Sequence, residues 1–454
     1  IFSIANVAKS RAAIRIPDDV AGPPYLLDQA GETYILTQDI AALGTAIIIA
    51  ASGITIDLNS HTITYGTSSG ISYGITASGY NINTIIIKNG VILQGQGNGL
   101  ASHAIYLPNG GSDHEIYNLN ITVQGPDTSN IYTNWAGPIN IHHCTLYDNN
   151  IVISNRHSGP GGMIELNRNK GGTTSVHDCK LYNGPWQGIR ITQYSNTYEG
   201  GFKIYNNYIS HKSTVANAYA ISAWGRNSDV YNNTIIAEGR GIHIGYDGET
   251  KVVKGGGYWL VHDNYVDVKE RPNAEYNPYW VHGIKFEDPG SKVLPNCITK
   301  IYNNTIIARA ELGFSEARAL DISNEFPDEG VEVYNNNITA ITTTSQFDAK
   351  AFQATLVVEN SGLYIHHNTF TSNGKILSWA YPSSGILFDS NILRQGANPI
   401  NNYTINFWTW GGDSINNILL NTTLENGASL DSTRFGANTN TYYVKWYLDV
   451  VVKD

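Results

Sequence analysis

Six short segments each set one polar residue between apolar neighbours. They read Gly162-Met-Ile-Glu-Leu, Gly188-Ile-Arg-Ile, Ala220-Ile-Ser-Ala, Gly241-Ile-His-Ile, Gly283-Ile-Lys-Phe and Ala319-Leu-Asp-Ile. Strand alternation turns the apolar neighbours to the core and the middle residue outward. Stacked in order, Glu165, Arg190, Ser222, His243, Lys285 and Asp321 would form one exposed column. Asn167, Thr192, Trp224, Gly245, Glu287 and Ser323 would lie beside it, and Tyr194, Tyr246, Asp247, Glu249, Asp288 and Glu325 just beyond. Arg190, His243 and Lys285 would neutralise a uronate carboxylate. Trp224, Tyr194 and Tyr246 would stack on sugar rings, with Glu165 as a further substrate contact. His243 or Lys285, with a lowered pKa, would remove the proton next to that carboxylate. Glu287, Asp288 and Asp321 offer the oxygen ligands that calcium takes. The chemistry would be β-elimination or C5-epimerisation of an acidic polysaccharide. Against this stands a plain wet strand face, with Glu165–Arg190 and Lys285–Asp321 as cross-strand charge pairs.

Such a column exists only if the segments stack, and a second pattern requires that they do. Nine stretches run apolar, two polar residues, Asn or Cys, one residue, then an aliphatic or Phe. Examples are Val176-His-Asp-Cys179-Lys-Leu181, Val230-Tyr-Asn-Asn233-Thr-Ile235 and Ile301-Tyr-Asn-Asn304-Thr-Ile306. The fourth positions are Cys144, Cys179, Asn207, Asn233, Asn264, Asn304, Asn336, Asn368 and Asn391. A repeat of this length means a solenoid, and uneven spacing means fixed strands with loops of differing length. The repeats are β-branched and aromatic and their apolar runs are short, which favours strands over helices. A buried Asn recurring at one position is satisfied only when copies stack and each amide bonds to the next.

These repeats resemble those of the right-handed parallel β-helix proteins of the pectin-lyase-like superfamily. Tyr34-Ile-Leu-Thr-Gln-Asp-Ile40 and Gly53-Ile-Thr-Ile-Asp-Leu-Asn-Ser-His-Thr-Ile-Thr64 are similar to the opening coils of such proteins. The resemblance spans roughly residues 30–425. It implies an all-β, single-stranded right-handed parallel β-helix of about twelve coils. At ~4.8 Å per coil that is a rod of about 55–60 Å. The superfamily holds lyases, hydrolases, epimerases, phage spikes and non-catalytic surface proteins, so fold alone assigns no activity. The Asn-Thr-Asp, Gly-His-Gly and Arg-Ile-Lys set of polygalacturonases is missing, as is the Asp-Pro-His element of alginate epimerases. No pectate-lyase calcium motif carries over to these residues.

Composition narrows the partners. The chain has 454 residues, a formal net charge of −10 and no basic run, which argues against nucleic acid. No stretch approaches the roughly 18 uncharged apolar residues of a membrane span. Ile1 rather than Met opens the chain, as expected of a processed secreted protein and equally of an excised segment. An extracellular or cell-surface location follows as the expectation.

Three segments are expected: a cap over residues 1–30, the β-helix over 31–400, and a C-terminal strand region over 401–454 that loses the coil period. Tyr442-Tyr-Val-Lys-Trp-Tyr-Leu-Asp-Val-Val-Val-Lys453 is a strong strand signal. It folds back on the last coil, opens a further domain, or pairs with another chain. Cys144 and Cys179, at the Asn position, should stack in the core, with a disulfide between coils geometrically conceivable. Cys297 has no obvious partner. His142, His143, His262, His366 and His367 read as turn or surface groups. The best functional reading is an extracellular protein that binds, and cleaves or epimerises, an acidic polysaccharide. Its rival is a structural surface protein, adhesin or filament subunit that self-assembles through the C-terminal strand.

Overall fold

The computed structural model describes residues 12–447 apart from 97–100, 109, 150–161, 170–171, 185, 194–200, 213–217, 226, 246–256, 272–279, 288–296, 324–329, 356, 358–361, 408–411 and 437. All regular elements among them are strands. They form two long sheets, one of 28 strands and one of 15, and every recorded pairing is parallel. The chain is therefore a parallel β-helix. Crossovers between parallel strands run right-handed in nearly all proteins.

A representative coil shows why this sequence folds so. Ser228–Tyr231 pairs with the coils on either side, Asn232 turns the chain at a φ of 53°, and Asn233 begins the inward corner. Asn, Asp and His tolerate that left-handed conformation better than other side chains. They fill it at Asn118, His143, Asp178, Asn206, Asp263, Asn303, Asn335 and His367. Thr234–Glu238 continues the large sheet and Arg240–Gly245 supplies one rung of the smaller one. Alternate residues such as Val230, Ile235, Ile242 and Ile244 are fully buried.

The Asn ladder forms as the repeat requires. The Asn304 side-chain amide donates to the Val261 and Tyr302 carbonyls and to Asn336 Oδ1, each at 2.9 Å. Its own Oδ1 accepts from Asn264 Nδ2 at 3.0 Å. Cys144 and Cys179 extend the ladder as buried free thiols, not a disulfide. Each sulfur faces the carbonyl two residues back, at 3.4 Å from His142 and 3.3 Å from His177, as the Asn amides do.

The histidines read as turn groups fall on two neighbouring positions. His142, His177, His262 and His366 join Tyr117, Tyr205, Tyr231, Tyr302 and Tyr334 in one column of stacked rings, with centroids 4.6–5.1 Å apart. His143 and His367 occupy the left-handed turn beside it.

The solenoid is longer than the repeats alone suggest. The smaller sheet counts fifteen rungs against about twelve expected. At ~4.8 Å per rung the rod is about 70 Å long. Strand pairing runs through both expected boundaries. Ile14–Ile16 pairs with Tyr34–Leu36, and Tyr25–Leu27 with Ile47–Ile49. At the other end Ile405–Phe407 pairs with Leu377–Trp379, and Asn440–Lys445 folds back on Ser414–Leu420. Among the described residues no helix is long and apolar enough to cross a membrane.

Candidate functional site

The smaller sheet carries the column read from the sequence, in the expected register. Glu165 pairs with Arg190, Arg190 with Ser222, Ser222 with His243, His243 with Lys285, and Lys285 with Asp321. Gln353, Ser378 and Asn406 continue it. Thr192, Trp224, Gly245, Glu287 and Ser323 align beside it. Tyr194, Tyr246 and Asp288 lie outside the described residues, as do Asp247, Glu249 and Glu325.

The column is not the open wet face that was expected. Glu165 is 1% exposed, Asp321 2% and His243 6%. Outward side chains on adjacent rungs stand about 4.8 Å apart, so long ones cover one another. The ring of His243 packs against Tyr219 at 4.6 Å and lies edge-on to Trp224 at 5.1 Å.

A third column went unread. Tyr219, Arg240, His282, Arg318, Lys350 and Lys375 align on successive rungs. Each stands immediately before the residue that fills the inner corner, which is Ala220, Gly241, Gly283, Ala319, Ala351 and Ile376 in turn. That corner is narrow: a Cβ on Gly283 would lie 2.4 Å from the Ala319 carbonyl oxygen. The signal available in the sequence was the position preceding each small residue, where a basic or aromatic residue recurs.

From His282, Lys285 and Glu287 onward, all three columns line a cleft of about 510 Å³ between Trp280 and Asn406; His243, one rung earlier, does not line it. Its charges are paired with one another. Glu316 Oε1 accepts from Arg318 Nε and Lys350 Nζ, both at 2.6 Å. Arg318 Nη1 also donates to Asp321 Oδ2 at 3.2 Å. Lys350 Nζ donates to Gln353 Oε1 at 2.9 Å, and Lys375 pairs with Asp348. Burial opposes ionisation of Glu316, yet Lys350 and Arg318 hold its pKa below the ordinary carboxylate range. Burial pushes the Lys350 pKa down, against the pull of Glu316.

At the neighbouring rung, Glu287 Oε2 receives His243 Nε2 at 3.2 Å and Lys285 Nζ at 2.5 Å. The His243 hydrogen bond, together with Lys285, brings the Glu287 pKa down to about 2 in spite of burial. Burial lowers the His243 pKa although Glu287 works the other way, so its imidazole is neutral near pH 7. Arg190 Nη1 bonds Glu165 Oε1 at 2.9 Å. Arg190 and Glu165 lie rungs away from the cleft and do not line it.

Of the three expected calcium ligands, Asp288 lies outside the described residues, and the other two are engaged by protein groups. Glu287 is paired with Lys285 and accepts a hydrogen bond from His243, and Asp321 is paired with Arg318 and accepts hydrogen bonds from Thr355 and Gln353. Among the described residues no three His, Cys, Asp or Glu side chains converge on a metal position.

Two aromatic rings flank the cleft. Trp280 is 39% exposed, with the Arg318 guanidinium 4.5 Å from its ring centroid, and Tyr381 is 42% exposed. Charged groups held by one another, with aromatic rings at the margins, can donate to and accept from sugar hydroxyls while the rings cover apolar sugar faces.

No family model and no curated protein matches the chain. Among solved structures it is similar to a tailspike protein mutant of E. coli bacteriophage HK620 in complex with a pentasaccharide, at 12% identity. That match covers 96% of this chain and 71% of the other, with a TM-score of 0.47. It is also similar to a tailspike mutant of the same phage in complex with a hexasaccharide, at 12% identity over 96% and 71% of the two chains, with a TM-score of 0.41. The Streptococcus pneumoniae surface protein and adhesin PfbA matches at 10% identity over 93% and 91%, with a TM-score of 0.36. Likenesses at this level carry no weight for the function of this chain, and its fold rests on its own strand register.

Proposed function

We propose that the cleft on the smaller sheet binds a segment of polysaccharide lying along successive rungs. The observation that carries this is the lining itself: a string of mutually paired charged side chains on neighbouring coils, bordered by Trp280 and Tyr381. A straight cleft on a rod repeats its contacts at rung spacing, which suits a chain of similar units better than a single small molecule. An extracellular or surface location fits such a ligand.

For β-elimination or epimerisation, His243 would serve as base only through Nδ1, because Nε2 is held by Glu287, and it sits one rung outside the cleft lining. Lys285 is tied to Glu287 at 2.5 Å. An ammonium so paired serves as a donor to substrate and not as a base. Arg190, paired with Glu165, and Trp224 would contact the glycan beyond the cleft. A glycan array tests binding, and absorbance of an unsaturated uronate product tests elimination. Retention of no glycan would contradict the proposal. Retention without new absorbance would exclude elimination, and absence of solvent-deuterium incorporation at C5 as well would remove the base role from His243.

A second reading, end-to-end self-association, rests on the C-terminal rung. Tyr443, Val444, Trp446 and Tyr447 are exposed there, on and just after a strand that pairs with Ser414–Leu420. Sedimentation of the wild type against Trp446→Ser tests it: a concentration-dependent shift lost in the variant supports association, and a monomer at all concentrations removes it.

A further inference from the structure

Behind the cleft wall, Arg240, Tyr219 and His282 form a chain of hydrogen bonds with a fixed direction. Arg240 Nη1 lies 3.1 Å from the Tyr219 hydroxyl, and that hydroxyl lies 3.2 Å from His282 Nδ1. A guanidinium has donors only, so the Tyr219 oxygen accepts from Arg240. The single phenol hydrogen is then left for His282 Nδ1. The opposite arrangement, with Nδ1–H donating, would strand that hydrogen in a tyrosine 3% exposed. It would also turn the Nε2 lone pair toward Asp321 Oδ2, 3.5 Å away. His282 is thereby set with its proton on Nε2.

That Nε2–H group makes no hydrogen bond within the protein, with Asp321 Oδ2 standing 3.5 Å away. His282 is 2% exposed and its ring lines the cleft, yet Nε2 has no hydrogen-bond partner. The nearest acceptor, Asp321, is committed to Arg318, Gln353 and Thr355. A buried donor left without an acceptor is unfavourable. Burial, with Arg240, Arg318 and Lys285 nearby, holds the His282 pKa well below its ordinary value, so the ring stays a neutral donor.

Charge identifies the acceptor. Four cations (Lys285, Arg318, Lys350, Lys375) and four carboxylates (Glu287, Glu316, Asp321, Asp348) line the cleft and balance. Arg240 stands outside that balance: it is 6% exposed, its Nε has no partner, and among the described residues no carboxylate pairs with it. A buried guanidinium without a counter-charge favours an anion within reach of its field. Tyr219 and His282 carry that polarity to the cleft surface.

We infer that the Arg240–Tyr219 pair presets His282 as an Nε2–H donor, and that this donor binds a carboxylate oxygen of the glycan. The inference rests on the glycan reading above and narrows it to acidic sugars. His282 is the binding residue, and Tyr219 and Arg240 are positioning residues.

The test has two arms. In the first, ¹⁵N-edited spectra of the histidines in the free protein report the tautomer. His282→Gln assigns its resonances, and Tyr219→Phe removes the acceptor of Arg240 and the donor to Nδ1. A single Nε2–H form, lost to a mixture in Tyr219→Phe, is expected. An Nδ1–H form, or one indifferent to Tyr219→Phe, overturns the inference. In the second arm, trigalacturonate, trimannuronate and the methyl ester of each are titrated into wild type and His282→Ala. At least one acid should bind and lose tenfold or more in His282→Ala, while its ester binds weakly and alike to both. An acid that binds equally to wild type and variant defeats the carboxylate site alone and leaves the glycan reading standing. Failure of all four probes, with no glycan retained on the array, defeats both.

Discussion

Lys350 Nζ lies 2.6 Å from Glu316 Oε1, and Arg318 Nε reaches the same oxygen at 2.6 Å. One carboxylate thus holds a buried lysine and a partly buried arginine on adjacent rungs. Glu316→Gln removes the charge and keeps the shape, leaving Arg318 with Asp321 and Lys350 with Gln353. Breaking a buried pair from one side typically costs about 3–5 kcal/mol. Chemical denaturation of Glu316→Gln should show a loss in that range, and Lys350→Met a smaller one because no charge is then stranded. Equal, small losses from both would mean that the cleft charges are solvated.

The Asn ladder should fail at a single step. Asn304→Leu leaves the Asn264 backbone N–H and the Val261 and Tyr302 carbonyls without this partner. At about 1–3 kcal/mol for each buried polar group left unmade, the rod should lose several kcal/mol. The drop in thermal midpoint should far exceed that of Thr305→Val, the next residue and the first of the strand that follows.

His262 links stability to pH. Nε2 lies 3.1 Å from Asp229 and Nδ1 2.7 Å from Asp263. Burial opposes the charge, but the two carboxylates raise the His262 pKa above its ordinary 6.5. A group whose folded pKa is raised contributes stability fully present below the unfolded pKa, near 6.5, and lost as pH rises through the folded value. Wild type should therefore lose stability on passing from below pH 6.5 to above the raised value. His262→Tyr, which puts a tyrosine in a ring column that already holds Tyr231 and Tyr302, should lose less over the same interval. Parallel pH profiles for the two proteins would contradict this.

The buried thiols should be inert. The Cys144 hydrogen bond and burial raise the Cys179 pKa well above its ordinary value. Thiolate, the reactive form, is then scarce. Cys144 and Cys179 should react with a thiol reagent only at the rate of unfolding. Fast labelling of either in the native protein would show the ladder end to be open.

Much of this was legible in the chain. The repeated Asn announces stacking because no other arrangement satisfies it, and the column from Glu165 to Asp321 follows from strand alternation once the small corner residue is recognised. Exposure was not legible. His243 and Asp321 point outward yet are buried, because burial on a solenoid face is decided by side chains one rung away, which lie about 20–40 residues off in sequence. The pairing of Lys285 with Glu287 was missed for a similar reason: alternation puts both on one face but does not say which charge turns to which. The Arg240–Lys375 column was hidden because it stands three residues before the first column, as Arg240 does before His243, a separation that strict alternation puts on opposite faces. The rungs beyond Asn391 lack the Asn signal, so the last coils looked like a separate region.

The most direct test of the account is calorimetric titration of a glycan retained on the array into wild type and into the Trp280→Ala, Tyr381→Ala double variant. Both rings are partly exposed and border the cleft, so the variant should stay folded. A loss of tenfold or more in affinity at unchanged thermal midpoint is the predicted result. Unchanged affinity would place the glycan elsewhere on the rod and contradict the assignment of the cleft.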